Sequence, residues 1–243
     1  MAATPLYFCS ARPAIEKERS SCRVPRHRHL RPFATVILSG VYEEAGYIGR
    51  LTARTGDVLA HPMLDAHENK LIAAGVKLIR LKLSGHWETG GLYRLGDVDS
   101  LARLAEKNLT EASLLLEESL AKGAGFTAGA TDWPDLLLHD MIEDPNIEMG
   151  CWAAEHALTR ETVSRGFALA YGVAPSIMRA ELRARLAWLR ILKGSEYLSE
   201  IALDTGFTDQ AHMTRWVSRI SGASPSVWRQ PSVRTKLRSN LAQ

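Results

Sequence analysis

Two sets of side chains in this 243-residue chain have the types and spacing that chemistry requires. The first is a pair of arginines, Arg165 and Arg215, at the same place in two copies of one pattern. Pro175-Ser176-Ile177-Met178-Arg179 returns as Pro225-Ser226-Val227-Trp228-Arg229. With the same offset Val163, Ser164, Phe167 and Gly172 align with Met213, Thr214, Val217 and Gly222. A guanidinium is a planar fork of N–H donors, so on an exposed helix it can pair with O6 and N7 of a guanine or hold a phosphate. The second set is His27-Arg28-His29 with His67. Residues i and i+2 of a strand share a face, so His27 and His29 can present two imidazoles together. A third from His67 would complete a set that leaves one position open on a divalent metal.

The arginines need helices to carry them. In the second copy Leu198 to Asp204 reads as a short helix with Ile201 and Ala202 inward. Thr205-Gly206-Phe207 is a turn in which Gly206 can take a left-handed backbone, and Thr208 or Asp209 can cap the next helix. On that helix Met213 and Val217 share the buried face. Ala211, Arg215 and Ser218 then point to solvent, flanked by His212 and Thr214. In the first copy Trp152 to Ala157 leads, Thr159 caps, and Val163 and Phe167 face in. Glu161, Arg165 and Ala168 face out, with Ser164 at the edge. Gly166 lies inside this helix, where glycine costs about 0.5–1 kcal/mol relative to alanine. Pro175 opens a long helix to about Lys193, with Leu182, Leu186, Leu189 and Ile191 or Leu192 as its apolar contacts. About 18 residues at ~1.5 Å each make a rod of about 27 Å. That is near the ~34 Å between successive major-groove faces. For each arginine a base edge, a phosphate and plain solvent are the three fates.

The stretch Ile201-Ala202-Leu203-Asp204-Thr205-Gly206-Phe207-Thr208-Asp209-Gln210-Ala211-His212-Met213, followed by Gly222-Ala223-Ser224-Pro225, resembles the C-terminal signature of AraC/XylS-type transcription regulators. The resemblance runs from near Trp133 to Arg229. It implies two recognition helices in adjacent major grooves, with Arg165 and Arg215 on bases and Glu161, Ser164, Gln210, Ala211, His212 and Thr214 nearby. Ala157 stands where that family commonly has a turn glycine, and Met213 and Val217 where phenylalanines are usual. Glu161 would sit near phosphates or a cytosine amine. The first reader is therefore expected to be the weaker.

His27-Arg28-His29, Gly56-Asp57-Val58, His61, His67 and Asn69 together resemble the two-part motif of cupin barrels, in which such histidines bind metal. The acid that normally follows the first pair is absent, and Phe33 and Ala34 occupy its place. Three readings stay open: a divalent metal on His27, His29 and His67, a metal-free small-molecule pocket, or a structural or dimerising role. The plainer account of His27 and His29 is a basic surface strand among Arg26, Arg28 and Arg31.

The surrounding pattern is that of an α+β chain. Residues 24 to about 84 read as strands and turns. Phe33 to Leu38 is a β-rich run ended by Ser39-Gly40, and Gly56-Asp57 is a turn before Val58-Leu59-Ala60. Val76 to Leu83 alternates like a strand with one wet face. From Asp97 the period is helical through Val98, Leu101, Leu104, Ala105, Leu109, Ala112, Leu115 and Leu116, a stripe for packing on the sheet or for dimerisation. A break at Gly123-Ala124-Gly125 precedes a helix capped by Asp132 with Pro134 in its first turn. The expected organisation is a small cupin-like β-sandwich or barrel over 1–92 and a helical linker, a candidate dimerisation segment, over 93–128. An all-α domain over 129–232 follows, with two helix-turn-helix units joined by a long helix, and then a basic tail over 233–243.

Charge agrees with this division. From Met149 onward 13 Lys/Arg face 7 Asp/Glu, while the preceding part is net −3, so the basic half is the repeated half and suits a polyanion. No apolar run approaches the roughly 18 residues that span a bilayer, and the N-terminus lacks the pattern of a secretory signal. Three scattered cysteines fit a reducing cytoplasm without a disulfide framework. The expected function is a cytoplasmic, sequence-specific DNA-binding transcription regulator, not an enzyme, controlled by a small-molecule effector at the β domain. Duplex DNA is the partner, RNA polymerase is a candidate one, and the chain is a monomer or homodimer. The alternatives are a metal-dependent cupin enzyme with a helical appendage, and an adaptor that keeps the helical fold without touching DNA.

Overall fold

The computed structural model describes residues 6–7, 15–18, 23–84, 87, 90–123, 125 and 132–232. The expected basic tail 233–243, Cys9, Cys22 and Ala124 lie outside the described residues. The chain divides into two compact units between Gly129 and Ala130.

Among its described residues the N-terminal unit is one sheet and two helices. Its strands are β1 (Leu6–Tyr7), β2 (Ile15–Glu18), β3 (Arg23–His29), β4 (Phe33–Gly46), β5 (Gly49–Arg54), β6 (Asp57–His61), β7 (Ala66–Lys82) and β8 (Gly91–Arg94). The main path through the sheet is β1-β3-β7-β4-β6-β8, with β2 added to β7 and β5 to β4. All pairings are antiparallel except β1 with β3. Ser39-Gly40 does not end β4, as the sequence suggested, but bends it. The register against β7 shifts on both sides of Ser39, and Gly40 sits at φ +91° where a Cβ would come 2.9 Å from the Gly75 carbonyl. Such bulges let one long strand curve and pair with different partners along its length.

Val76 to Leu83 keeps its polar positions wet, with Lys77 and Lys82 exposed and Arg80 half-buried, while its apolar residues fall on both faces of the sheet. Val76 and Leu78 pack with Ile37, Tyr42 and Leu59 on one side. Ile79, Leu81 and Leu83 pack with Ala34, Val36, Val58 and Ala60 on the other, beneath helical residues Leu101, Ala105, Ala112, Leu116 and Leu120. Those come from α1 (Val98–Lys107) and α2 (Leu109–Lys122), which roof the apolar face of Ile79, Leu81 and Leu83. Asn108 divides the two helices, its side chain accepting from the backbone N–H groups of Thr110 and Glu111 at 3.1 and 3.2 Å. That interruption resets the helical phase, and Leu109 and Leu115 of the expected stripe are exposed.

The C-terminal unit is helical among its described residues: α3 (Trp133–Glu143), α4 (Met149–Glu155), α5 (Arg160–Tyr171), α6 (Pro175–Lys193), α7 (Leu198–Asp204), α8 (Gln210–Ser221) and α9 (Pro225–Trp228). Asp132 holds the N-cap position of α3, but its side chain makes no cap bond, and the first turn rests on Pro134. The central rod, α6, spans about 28 Å at ~1.5 Å per residue. Its buried face is Met178, Leu182, Ala184, Ala187, Trp188 and Ile191. Leu186, expected inward, is exposed, while Ala184 and Ala187 are fully buried. Trp188 meets Trp228 of α9 edge to face at 5.5 Å. Cys151 is exposed as a free thiol, and no described helix is long and apolar enough to cross a membrane.

Candidate nucleic-acid interface and a buried histidine cluster

Both sequence copies fold as helix, turn, helix. In the first, the backbone N–H of Leu158 donates to the Ala153 carbonyl at 2.8 Å, and Thr159 caps α5 by accepting from Thr162 N at 3.1 Å. In the second, Phe207 N donates to Ala202 O at 2.9 Å, and the Asp209 carboxylate caps α8 by accepting from His212 N at 2.7 Å. That hydrogen bond is the largest reason the Asp209 carboxyl lies below its ordinary range. The turns pass through Ala157 at φ +54° and Gly206 at φ +79°. Both second helices stop at a left-handed glycine, Gly172 and Gly222.

Capping fixes where each helix begins, and burial fixes its rotation. Val163, Phe167 and Tyr171 turn inward on α5, leaving Glu161, Ser164 and Arg165 exposed. On α8 Met213 and Val217 are buried, Gln210, Ala211 and Arg215 are exposed, and His212 and Thr214 are half-buried. The two arginines therefore hold matching stations on two outward faces, in different electrostatic settings. Arg165 Nη2 lies 3.2 Å from Glu161 Oε1, both side chains being largely solvated at 75 % and 72 % exposure. Arg215 makes no ion pair among the described residues. His212 is engaged inside the unit. Its Nε2 accepts from the Trp216 indole at 3.2 Å, so its Nδ1 carries the proton and donates to Thr208 Oγ1 at 3.2 Å. Gly166 has a structural reason that the sequence reading missed: a Cβ there would come 2.8 Å from Trp133 Cη2 and closer still to Cζ2. Glycine inside α5 is what lets α3 and α5 meet.

In the N-terminal unit the structure brings His27, His29 and His67 together, with ligand-capable atoms all within 4.8 Å of one another. His27 on β3 stands opposite His67 on β7, their rings 4.6 Å apart. The basic surface strand is thereby corrected: Arg26, His27 and Arg28 are buried, and Arg28 donates to Tyr47 Oη at 2.9 Å and to Leu64 O at 2.6 Å. Burial, reinforced by His67, pushes the His27 pKa down to about 4 and that of His29 to about 2, so both rings are neutral at pH 7.

The hydrogen bonds around the rings select their tautomers. His27 Nδ1 is 3.0 Å from the Pro25 carbonyl and His67 Nδ1 is 2.6 Å from Asp65 Oδ2. Each Nδ1 must carry the proton, which makes the Nε2 of each ring an acceptor. Such carbonyl and carboxylate partners are what orient metal-binding histidines. His29 Nδ1 is buried without a hydrogen-bond partner. The donor set therefore fits a divalent transition metal that takes nitrogen ligands.

Two acids at this cluster were missed from sequence. Asp65 also accepts from His61 Nδ1 at 2.9 Å; burial raises its pKa, but the bonds from His61 and His67 outweigh that and hold it well below the usual carboxylate range. Glu44 reaches in from β4, its Oε2 accepting from Tyr42 Oη at 2.9 Å and standing 3.9 Å from His67 Nε2. Its other oxygen and His61 Nε2 are buried without hydrogen-bond partners. Phe33, in the place of the missing cupin acid, stacks on His61 at 4.3 Å. Only the polar alternation of Tyr42-Glu43-Glu44 could have pointed to Glu44.

Residues 152–231 match the family model of a helix-turn-helix domain. No curated protein matches the chain. Among solved structures, fatty-acid-bound ToxT from Vibrio cholerae is 9 % identical, covering 89 % of this chain and 93 % of that one, with a TM-score of 0.41. YhaK from Escherichia coli is 14 % identical over 34 % of this chain and 40 % of its own, with a TM-score of 0.29. A salicylate 1,2-dioxygenase variant from Pseudoaminobacter salicylatoxidans is 13 % identical over 50 % of this chain and 27 % of its own, with a TM-score of 0.26. Likeness at this level bears on neither ligand nor mechanism.

Proposed function

We propose that this chain, which carries an AraC-type helix-turn-helix domain and is a DNA-binding transcription regulator on that account, reads duplex DNA with the outward faces of α5 and α8 under the control of a ligand in its β unit. The observation that supports the reading is the pair of exposed arginines, Arg165 and Arg215, each on a capped helix whose opposite face is buried. Arg215 reads a base edge, with Gln210, Ala211 and Thr214 beside it. Arg165 does the same on the first helix, with Ser164 and Glu161 as neighbours. His212 contributes by positioning, since both of its ring nitrogens are engaged within the unit. Such a regulator works in the cytoplasm, as a monomer or homodimer, with RNA polymerase as a candidate contact.

Selection of bound sequences from a random duplex library tests the reading. Binding should weaken steeply with salt, because phosphate contacts release counterions. Arg215→Ala should cost roughly 1–3 kcal/mol on the selected site and relax preference at one base position. Equal weakening on every sequence would make Arg215 a phosphate contact instead.

For the β unit, His27, His29 and His67 would hold a divalent metal through ring nitrogens, Nε2 in the case of His27 and His67. The ion would supply a fixed positive charge tying β3 to β7. Soaking the protein with zinc, manganese or nickel should load one equivalent, lost in the His27→Ala/His29→Ala double variant. No stoichiometric uptake would return the cavity to a metal-free small-molecule effector. The helix-turn-helix domain assigns the chain to regulation, so the metal-dependent enzyme does not stand as a second reading.

A further inference from the structure

We infer that Arg183 is the positioning residue that locks the two helix-turn-helix units into one register on DNA, an inference that rests on the DNA-reading function proposed above. Arg183 lies near the middle of α6, and its guanidinium reaches both units at once. Nε donates to the Pro145 carbonyl at 2.8 Å, and Nη1 donates to the Gly206 carbonyl at 2.7 Å. Pro145 belongs to the loop that leads into α4, and therefore into the first unit. Gly206 is the turn of the second. One helical turn earlier on the rod, Arg179 Nη1 donates to the Ile147 carbonyl in the same loop at 2.8 Å. The loop and the turn also touch directly, because a Cβ at Gly206 would collide with Asn146 Oδ1.

A helix alone fixes the distance between the units at its two ends. It does not fix how each unit is rotated about the rod. The two Arg183 bonds supply that second constraint, since they tie the entry of one unit and the turn of the other to a single rigid fork. Lysine cannot replace it: an ammonium on a flexible stem does not hold two acceptors at the fixed angle of a guanidinium. Two linked readers gain affinity beyond either alone only when both engage without reorganisation, a bonus that reaches roughly 10²–10⁴-fold. Arg183 preserves that bonus without touching DNA.

The experiment uses the full chain and the duplex selected by the wild type, together with probes in which one half of the site is scrambled and probes whose spacing is changed by one base pair. One base pair rotates the second half by roughly 34°. Arg183→Met is expected to bind each half-site probe within about twofold of wild type. It should lose about tenfold or more in the ratio of whole-site to half-site affinity, and its dependence on spacing should flatten. Arg183→Lys should show the same loss, and it carries the test if the methionine variant does not fold. A variant that melts earlier but keeps the wild-type ratio and spacing preference would overturn the inference and leave Arg183 a stabilising contact only. Failure of the wild type to select any duplex would instead remove the DNA-reading function itself, so the two failures are separate.

Discussion

In the first helix-turn-helix unit the turn passes through Ala157 with its backbone at φ +54°; in the second it passes through Gly206 at φ +79°. A side chain is disfavoured in that region because Cβ crowds the following carbonyl, a penalty of about 1–2 kcal/mol that glycine escapes. The second turn is also one residue longer, since Thr208 stands between Phe207 and the Asp209 cap, whereas Thr159 follows Leu158 directly. The extra residue brings in the Thr208–His212–Trp216 chain that braces the start of α8. The readers differ in the same direction, with Arg165 paired to Glu161 and Arg215 in no ion pair among the described residues. Two copies of one pattern are thus not two equal readers. The second is unstrained and open, and the first is strained and partly neutralised.

The largest effect should come from forcing the second turn to resemble the first. Gly206→Ala adds both a left-handed side chain and a Cβ driven against Asn146 and, at 2.9 Å, against Arg183 Nε. Backbone strain and overpacking each cost about 1–3 kcal/mol, so a loss of roughly 2–4 kcal/mol in urea unfolding is expected. A loss below about 1 kcal/mol would mean that the two turns are equally tolerant and that the comparison fails at its base. Next in size is the difference between the arginines. Arg215→Ala should cost roughly 1–3 kcal/mol in affinity for the selected duplex, and Arg165→Ala measurably less, because the Arg165 guanidinium is already partly neutralised by Glu161. Equal losses would put both readers on one footing.

These units were legible in the sequence because their determinants are local. Caps, a left-handed glycine and apolar residues four apart all lie within about a dozen positions, and the structure keeps Asp209, Thr159, Gly206 and the Met213/Val217 pair in the parts read for them. The β unit was legible only where its signal was equally local. His27 and His29 share a face by alternation, and His67 meets them across β3 and β7. Glu44 and Asp65 were missed because what brings them to the histidines is the bend in β4 and the β6–β7 connection, which no periodicity announces. The alternation of Val76 to Leu83 announced its wet lysines, and Lys77 and Lys82 are exposed, but not that Ile79, Leu81 and Leu83 lie beneath helices more than a dozen residues away in sequence. Arg183 gave no sign because its acceptors are backbone carbonyls, which every residue has.

A smaller effect follows from relieving the first turn. Ala157→Gly removes the left-handed side chain but adds chain entropy to the unfolded state. The first gain, about 1–2 kcal/mol, exceeds the second, about 0.5–1 kcal/mol. The variant should therefore be more stable by roughly 0.5–1 kcal/mol in thermal unfolding. A destabilised variant would show that Ala157 makes packing contacts that outweigh its backbone.

The smallest change should be the one that sharpens the comparison most. Glu161→Gln frees Arg165 without altering its helix face. On stability the effect is slightly unfavourable, because a carboxylate in the first turn of α5 favours the helix N-terminus and pairs with Arg165 four residues on. Exposed terms of these kinds are worth about 0.3–1 kcal/mol each. On DNA the sign reverses, since the same carboxylate repels phosphates and competes for the guanidinium. Affinity for the selected duplex should rise about two- to fivefold, less so at high salt, where exposed charges are screened. In an Arg165→Ala background the gain should shrink, because part of it comes from releasing that arginine. If Glu161→Gln instead weakens binding and relaxes one cytosine position, the acid is itself a base reader, and the first unit is selective in its own right.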